Sequence, residues 1–94
     1  MALDRETITA ANTTSFQEQA SAGPYVIVTL TVENESGAEV TVTCKVDGVP
    51  FVKDYSVPDG NTFIWDKKIL LADGSMISIE SSGNVNVVLM GMLI

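Results

Sequence analysis

The chain carries one cysteine, Cys44, and no histidine. A nucleophilic thiol needs a base or a cation beside it to hold it as thiolate. Without imidazole, Ser-His-Asp and Cys-His arrangements cannot be assembled within one chain. A zinc site would have only Cys44 to start from. Carboxylates remain, at Asp47, Asp54, Asp59, Asp66 and Asp73. A glycosidase needs only two of them at the right separation, and loop carboxylates can hold calcium. Three of the five precede glycine, as Asp47-Gly48, Asp59-Gly60 and Asp73-Gly74. Tight turns ask for that pair on conformational grounds alone. EF-hand spacing, GxGxxG and phosphate-binding loops are all absent from the sequence. The expectation is a protein that is not an enzyme, with no cofactor and no metal.

The elements around these residues read as short strands. "YVIVTLTVEN" (25–34) alternates, with Val26, Val28, Leu30 and Val32 on one face and Tyr25, Ile27, Thr29, Thr31 and Glu33 on the other. "EVTVTCKV" (39–46) follows and sets Cys44 in a row with Val40, Val42 and Val46. In such a row a free cysteine behaves as a small hydrophobe. Asp47-Gly48 suits a type I′ hairpin turn. "VPFVKDYSV" (49–57) returns, with Pro50 implying an edge position or a bulge. "TFIWDKKILL" (62–71) reads as a strand kinked near Asp66 and Lys67. "SMISIES" (75–81), a turn at "SSGN" (81–84) and "VNVVLMGMLI" (85–94) complete the series. Leu30, Phe51, Phe63 and Trp65 are the expected large core side chains.

No segment shows helical periodicity. The fold class expected is all-β, a single antiparallel β-sandwich or jelly-roll-like domain of about six to eight short strands. Residues 1–24 form an N-terminal arm or edge strand, and residues 25–94 the sandwich. Alternation before Pro24 is weak. An arm that adds to a neighbour's sheet edge is therefore one reading of that segment, and residues 1–6 are expected to be frayed or docked on a partner. The last strand is apolar on both faces: Val85, Val87, Leu89 and Gly91 on one, Val88, Met90 and Met92 on the other. Such a strand belongs in the centre of the domain or at a subunit contact. Phe16, Tyr25, Met90 and Met92 are the residues expected to bind a partner.

The 94 residues carry a net charge of −7 with a pI near 4.1. Five scattered cations make no basic stripe. Nucleic acid and an anionic membrane surface are therefore not expected as partners. A lone cysteine makes no internal disulfide, and the charged start "MALDRETITA" lacks the apolar centre of a signal peptide. Synthesis in a reducing cytoplasm is expected. Asn12-Thr13-Thr14 and Asn34-Glu35-Ser36 match the glycosylation sequon, which has no consequence without secretion. Exposed Tyr25, Tyr55 or Trp65 would be needed for a carbohydrate-binding or adhesion module, the alternative from another class.

From residue 25 to the end the chain resembles small bacteriophage virion structural proteins. The resemblance rests on Asn34-Glu35-Ser36 closing a Thr-rich strand and on the Val40–Gly48 hairpin. It extends through "PDGNT" (58–62), "LADGSMI" (71–77) and the final strand from Val85 to Gly91. Gly74-Ser75 stands where that pattern has Gly-Asp, and Met90-Gly91-Met92 where it has Ser-Gly-Glu. The resemblance implies a non-enzymatic β-sandwich located in the virion. Its role would be capsid decoration (cement), binding and stabilising the major capsid protein shell as a homotrimer. Alternatively it would be a tail, neck or fibre-associated component.

Overall fold

The computed structural model describes residues 5–20 and 23–93, with side chains from residue 7 onward. Most of the polar lead-in at residues 1–6 lies outside the described residues, as do Ser21, Ala22 and Ile94. The fold is all-β. Its strands are β1 (Arg5–Gln19), β2 (Tyr25–Glu33), β3 (Val40–Val46), β4 (Val49–Val57), β5 (Thr62–Trp65), β6 (Ile69–Leu71) and β7 (Met76–Leu93). All pairings are antiparallel and all seven strands join one sheet.

Strand β7 is the axis. One side pairs with β1 along almost its whole length. The other side pairs first with β3, opposite residues 77–81, and then with β2, opposite residues 86–93. Beyond β3 lies β4, and beyond β2 lie β5 and β6. The sheet is thus four long runs, and each changes course at the same level. Strand β1 shifts register around Asn12, the 34–39 loop separates β2 from β3, the 58–61 loop separates β4 from β5, and β7 passes through Ser81–Asn84.

The sheet folds over along that line. A straight strand of 18 residues would span roughly 60 Å. Yet Leu93 at one end of β7 is opposite Tyr25, Tyr25 is opposite Leu71, and four residues lead from Leu71 back to Met76 at the other end. The sheet therefore curls into a half-barrel, sandwich-like, with two facing leaves. Leaf A holds the first half of β1, the second half of β7, β2, β5 and β6. Leaf B holds the second half of β1, the first half of β7, β3 and β4.

Folding one sheet over keeps one face inside throughout. The odd residues of β7 therefore point inward on both sides of the bend: Ile77, Ile79, Val85, Val87, Leu89 and Gly91 are all buried. At the bend the inward positions are Ser81 and Gly83, small enough for the two leaves to approach. A Cβ on Gly83 would lie 2.8 Å from Val40 Cγ1. No turn forms at 81–84, contrary to the sequence-based expectation. The strand continues, because the alternation never breaks phase and Ser82 Oγ accepts the Thr41 N–H.

Strand β2 departs from strict alternation. Tyr25 and Ile27 are buried, and then Leu30 and Val32, while Val26 and Val28 are half-buried. The register against β7 slips between Ile27 and Thr29. One extra residue there reverses which face the following side chains occupy, so Tyr25 and Ile27 share a face with Leu30 and Val32. The 62–71 run is two strands, interrupted at Asp66–Lys68. At the outer rim Phe51 of β4 meets Trp65 of β5 edge-on, with ring centroids 5.2 Å apart. Tyr55 meets Phe63 at 5.0 Å. These pairs close the leaves where no backbone ladder joins them.

Candidate docking surface

The chemistry-bearing residues are built into the frame. Cys44 is fully buried between Val42 and the inward row of β7, opposite Ile79. Burial pushes its thiol up from 9.0 to about 12, which keeps it protonated and unreactive at neutral pH. Asp47 and Gly48 both have positive φ, 51° and 81°, as a type I′ turn needs. The Asp47 carboxylate accepts the Met76 N–H at 2.9 Å, and its own N–H donates to Met76 O. That pins the hairpin tip to the start of β7. Asp59 accepts from Gly37 N, and Asp73 from Gly23 N. Asp54 sits at φ 50° and donates its N–H to Thr43 Oγ1, forming the bulge that the edge strand β4 carries. Among the described residues no three His, Cys, Asp or Glu side chains gather in a metal-binding group.

Asn34, which the sequence shows only as part of a sequon and of the strand-closing Asn34-Glu35-Ser36, has a structural role. It is fully buried. Its Nδ2 donates to Ala38 O at 2.7 Å and to Val57 O at 2.8 Å. Its Oδ1 accepts from the backbone and hydroxyl of Ser36. Its backbone exchanges bonds with Gly60 and Asn61. The Asn-x-Ser triplet is therefore the staple of the fold line, joining the 34–39 loop to the end of β4. In the folded chain the Asn34 amide is buried and committed to two carbonyls.

The four residues expected to bind a partner are divided by the structure. Phe16 and Tyr25 are 8% and 7% exposed and pack into the chain's own core. Tyr25 lies against Gly91, where a Cβ would meet its ring. Met90 is 41% exposed and Met92 half-buried, both on the outward face of β7. Of the three candidate sugar-stacking aromatics, Tyr25 is thus buried. Trp65 is half-buried between Phe51 and Lys67, whose Nζ is 5.8 Å from the ring centre. Tyr55 is exposed but tilted on Phe63.

Met90 and Met92 lead to a larger feature. Cross-strand register sets Leu70, Val26 and Met92 in one row of leaf A. Thr29, Met90 and Thr7 form the next, and Ile64, Thr31, Val88 and Thr9 the third. Arg5 of β1 stands opposite Met92 at the end of the first row, and Glu33 lies in the row beyond the third; the residues between them are uncharged. Leu70 is 67% exposed and Ile64 60%. The outward face of leaf B is different in kind, with Thr41, Thr43 and Ser78 beside a Lys45–Glu80 ion pair at 3.9 Å. The centre of the leaf A face is thus apolar and threonine-lined, with Arg5 and Glu33 at its margins. Contiguous exposed apolar surface on a small domain marks an interaction site.

No family model matches this chain, and no curated protein matches it.

Proposed function

We propose that the protein is a non-enzymatic structural component of a bacteriophage virion, a decoration protein that docks on the capsid shell through the outward face of leaf A. The observation that supports this reading most is the contrast between the two outward faces. Leaf B is polar, whereas leaf A presents Ile64, Leu70 and Met90 among threonines. A second support is that the side chains with chemical potential, Cys44 and the turn aspartates, are occupied with holding the fold. The resemblance of residues 25–94 to small virion proteins supplies the location. Docking would proceed by burial of apolar surface at roughly 25 cal/mol per Å², repeated over many sites on the shell, and each bound copy would stabilise the shell by mass action.

Co-sedimentation with capsid shells tests it. The wild-type chain pellets with the shells, and copy number per particle separates a decoration role (hundreds) from a neck or tail role (a few to tens). Leu70→Glu and Met90→Glu remain folded and stay in the supernatant. If both variants pellet like the wild type, the leaf A face is not the docking surface.

A further inference from the structure

The two free edges of the sheet are built differently. The edge formed by β4, β5 and β6 is blunted at every stage. It carries Pro50, then Lys53 beside the positive-φ bulge at Asp54, then Pro58, then the Asp66-Lys67-Lys68 break. These are devices that stop edge-to-edge pairing. The β1 edge carries one of them, the positive-φ irregularity at Asn12 and the register shifts that follow it, and none before that point. From Glu6 to Ala20 it holds no proline, lysine or glycine, and residues 7–17 include no charged side chain. Among the described residues β1 pairs only with β7, so its other side is open. Its first half, residues 5–10, runs opposite β7 without a register shift. A regular open edge with β-branched residues at its centre and its charges, Arg5 and Glu6, only at its start is a template for another strand.

We propose that the first half of β1 pairs antiparallel with the same segment of a second copy, about a two-fold axis at Ile8, giving a homodimer with one continuous leaf A across both chains. The occupant follows from the edges themselves. A head-to-tail ring, such as a homotrimer, would need the blunted β4–β6 edge as the receiving side. A two-fold uses the open edge twice. With Ile8 opposite its counterpart, Thr7 falls opposite Thr9 on the outward face, a favourable cross-strand pairing. Glu6 falls opposite Ala10, so no like charges meet. Ile8 is half-buried in one copy and packs against its core, and its counterpart would complete the cover. The dimer joins the apolar, threonine-lined centres of the two leaf A faces side by side.

The test needs no shell, so its failure leaves the docking reading standing. Mass in solution is measured by sedimentation equilibrium up to millimolar concentration, for a chain of 10.0 kDa. The wild type doubles in mass. The dimer fraction rises with salt, because each copy carries −7 and the Debye length shrinks to about 3 Å at 1 M. Two double variants at exposed positions fix the seam. Thr7→Lys/Thr9→Lys sets lysine against lysine across the axis and is monomeric. Thr7→Glu/Thr9→Lys sets glutamate against lysine and remains a dimer, with circular dichroism matching the wild type in both. A wild type that stays monomeric, a trimer, a dimer that dissociates as salt rises, or equal behaviour of the two double variants each overturns the proposal.

Discussion

Asn34 concentrates more of the fold's hydrogen bonding than any other described side chain. Its amide faces two carbonyls and two Ser36 donors at a fully buried position. Truncation leaves the Val57 carbonyl without its partner at a buried position, while exposed Ser36 and Ala38 turn to water, and an unsatisfied buried group is expensive. Asn34→Ala is expected to lose about 2–3 kcal/mol of stability in urea titration. Asn34→Asp keeps the acceptor but sets a second carboxylate oxygen against the Ala38 and Val57 carbonyls at a buried position, and is expected to cost at least as much as alanine. Cys44 gives a prediction with a sign. Its native thiol ionises only near pH 12 against 9.0 for an unconstrained one, so between those limits the folded state holds a proton that the unfolded chain has released. Stability from this group is complete below pH 9 and declines as pH rises toward 12, by up to about 1.4 kcal/mol per pH unit. Cys44→Ala removes that slope while costing something at neutral pH for the lost volume. Ellman's reagent at pH 8 leaves native Cys44 unmodified and labels it fully in denaturant.

Among the elements, β7 depends on two glycines whose φ is ordinary but whose surroundings leave no room. A Cβ on Gly91 would collide with the Tyr25 ring and the Val26 carbonyl. Neither a ladder carbonyl nor a core ring can move freely, so Gly91→Ala is expected to cost about 1–3 kcal/mol or more by overpacking. At Gly83 the obstacle is a valine methyl, and Gly83→Ala costs less. Thermal unfolding of the two variants gives the order. The same strand shows what could be read from residues and what could not. Asp47-Gly48 announced its hairpin, because positive φ at both positions is a local demand that few residue pairs meet. "SSGN" carries equally strong turn residues, yet the strand runs through it. The signal that outweighs them is the unbroken odd phase from Ile77 through Ser81 and Gly83 to Leu89, a long-range pattern in which small residues mark a bend. The bulge at Val28 left no mark at all, since "VIVTLTV" packs equally well in either phase and only the partner strand decides. Met90 and Met92 could be assigned to the outward row from alternation. Their companions Leu70 and Ile64 could not, because they join that face only through cross-strand register.

For the whole molecule, the decisive pairing is the one between the two ends of the chain. Strand β1 covers one side of β7 from Met76 to Met92, apart from the bend, and supplies Phe16 to the core, with Ala20 just beyond its end. Its partner is some seventy residues away in sequence, so closure entropy must be overcome before the ladder forms, and folding on the millisecond-to-second scale of long-range β topologies is expected. An arm reserved for a neighbour would behave otherwise. Removing it would leave residues 25–94 folded and merely less able to assemble. With β1 part of the sheet, deleting residues 1–19 instead bares the backbone of the central strand along its full length and opens the core over Ile8 and Phe16. The truncated chain is therefore expected to lose cooperative unfolding and to aggregate, since an uncovered, apolar central strand is a stronger template for misassociation than any native edge. A synthetic peptide of residues 5–19 supplies what was removed, and adding it in excess should restore a cooperative transition whose midpoint rises with peptide concentration. A truncated chain that unfolds cooperatively at the wild-type temperature, indifferent to the peptide, would show that the sheet does not need its first strand.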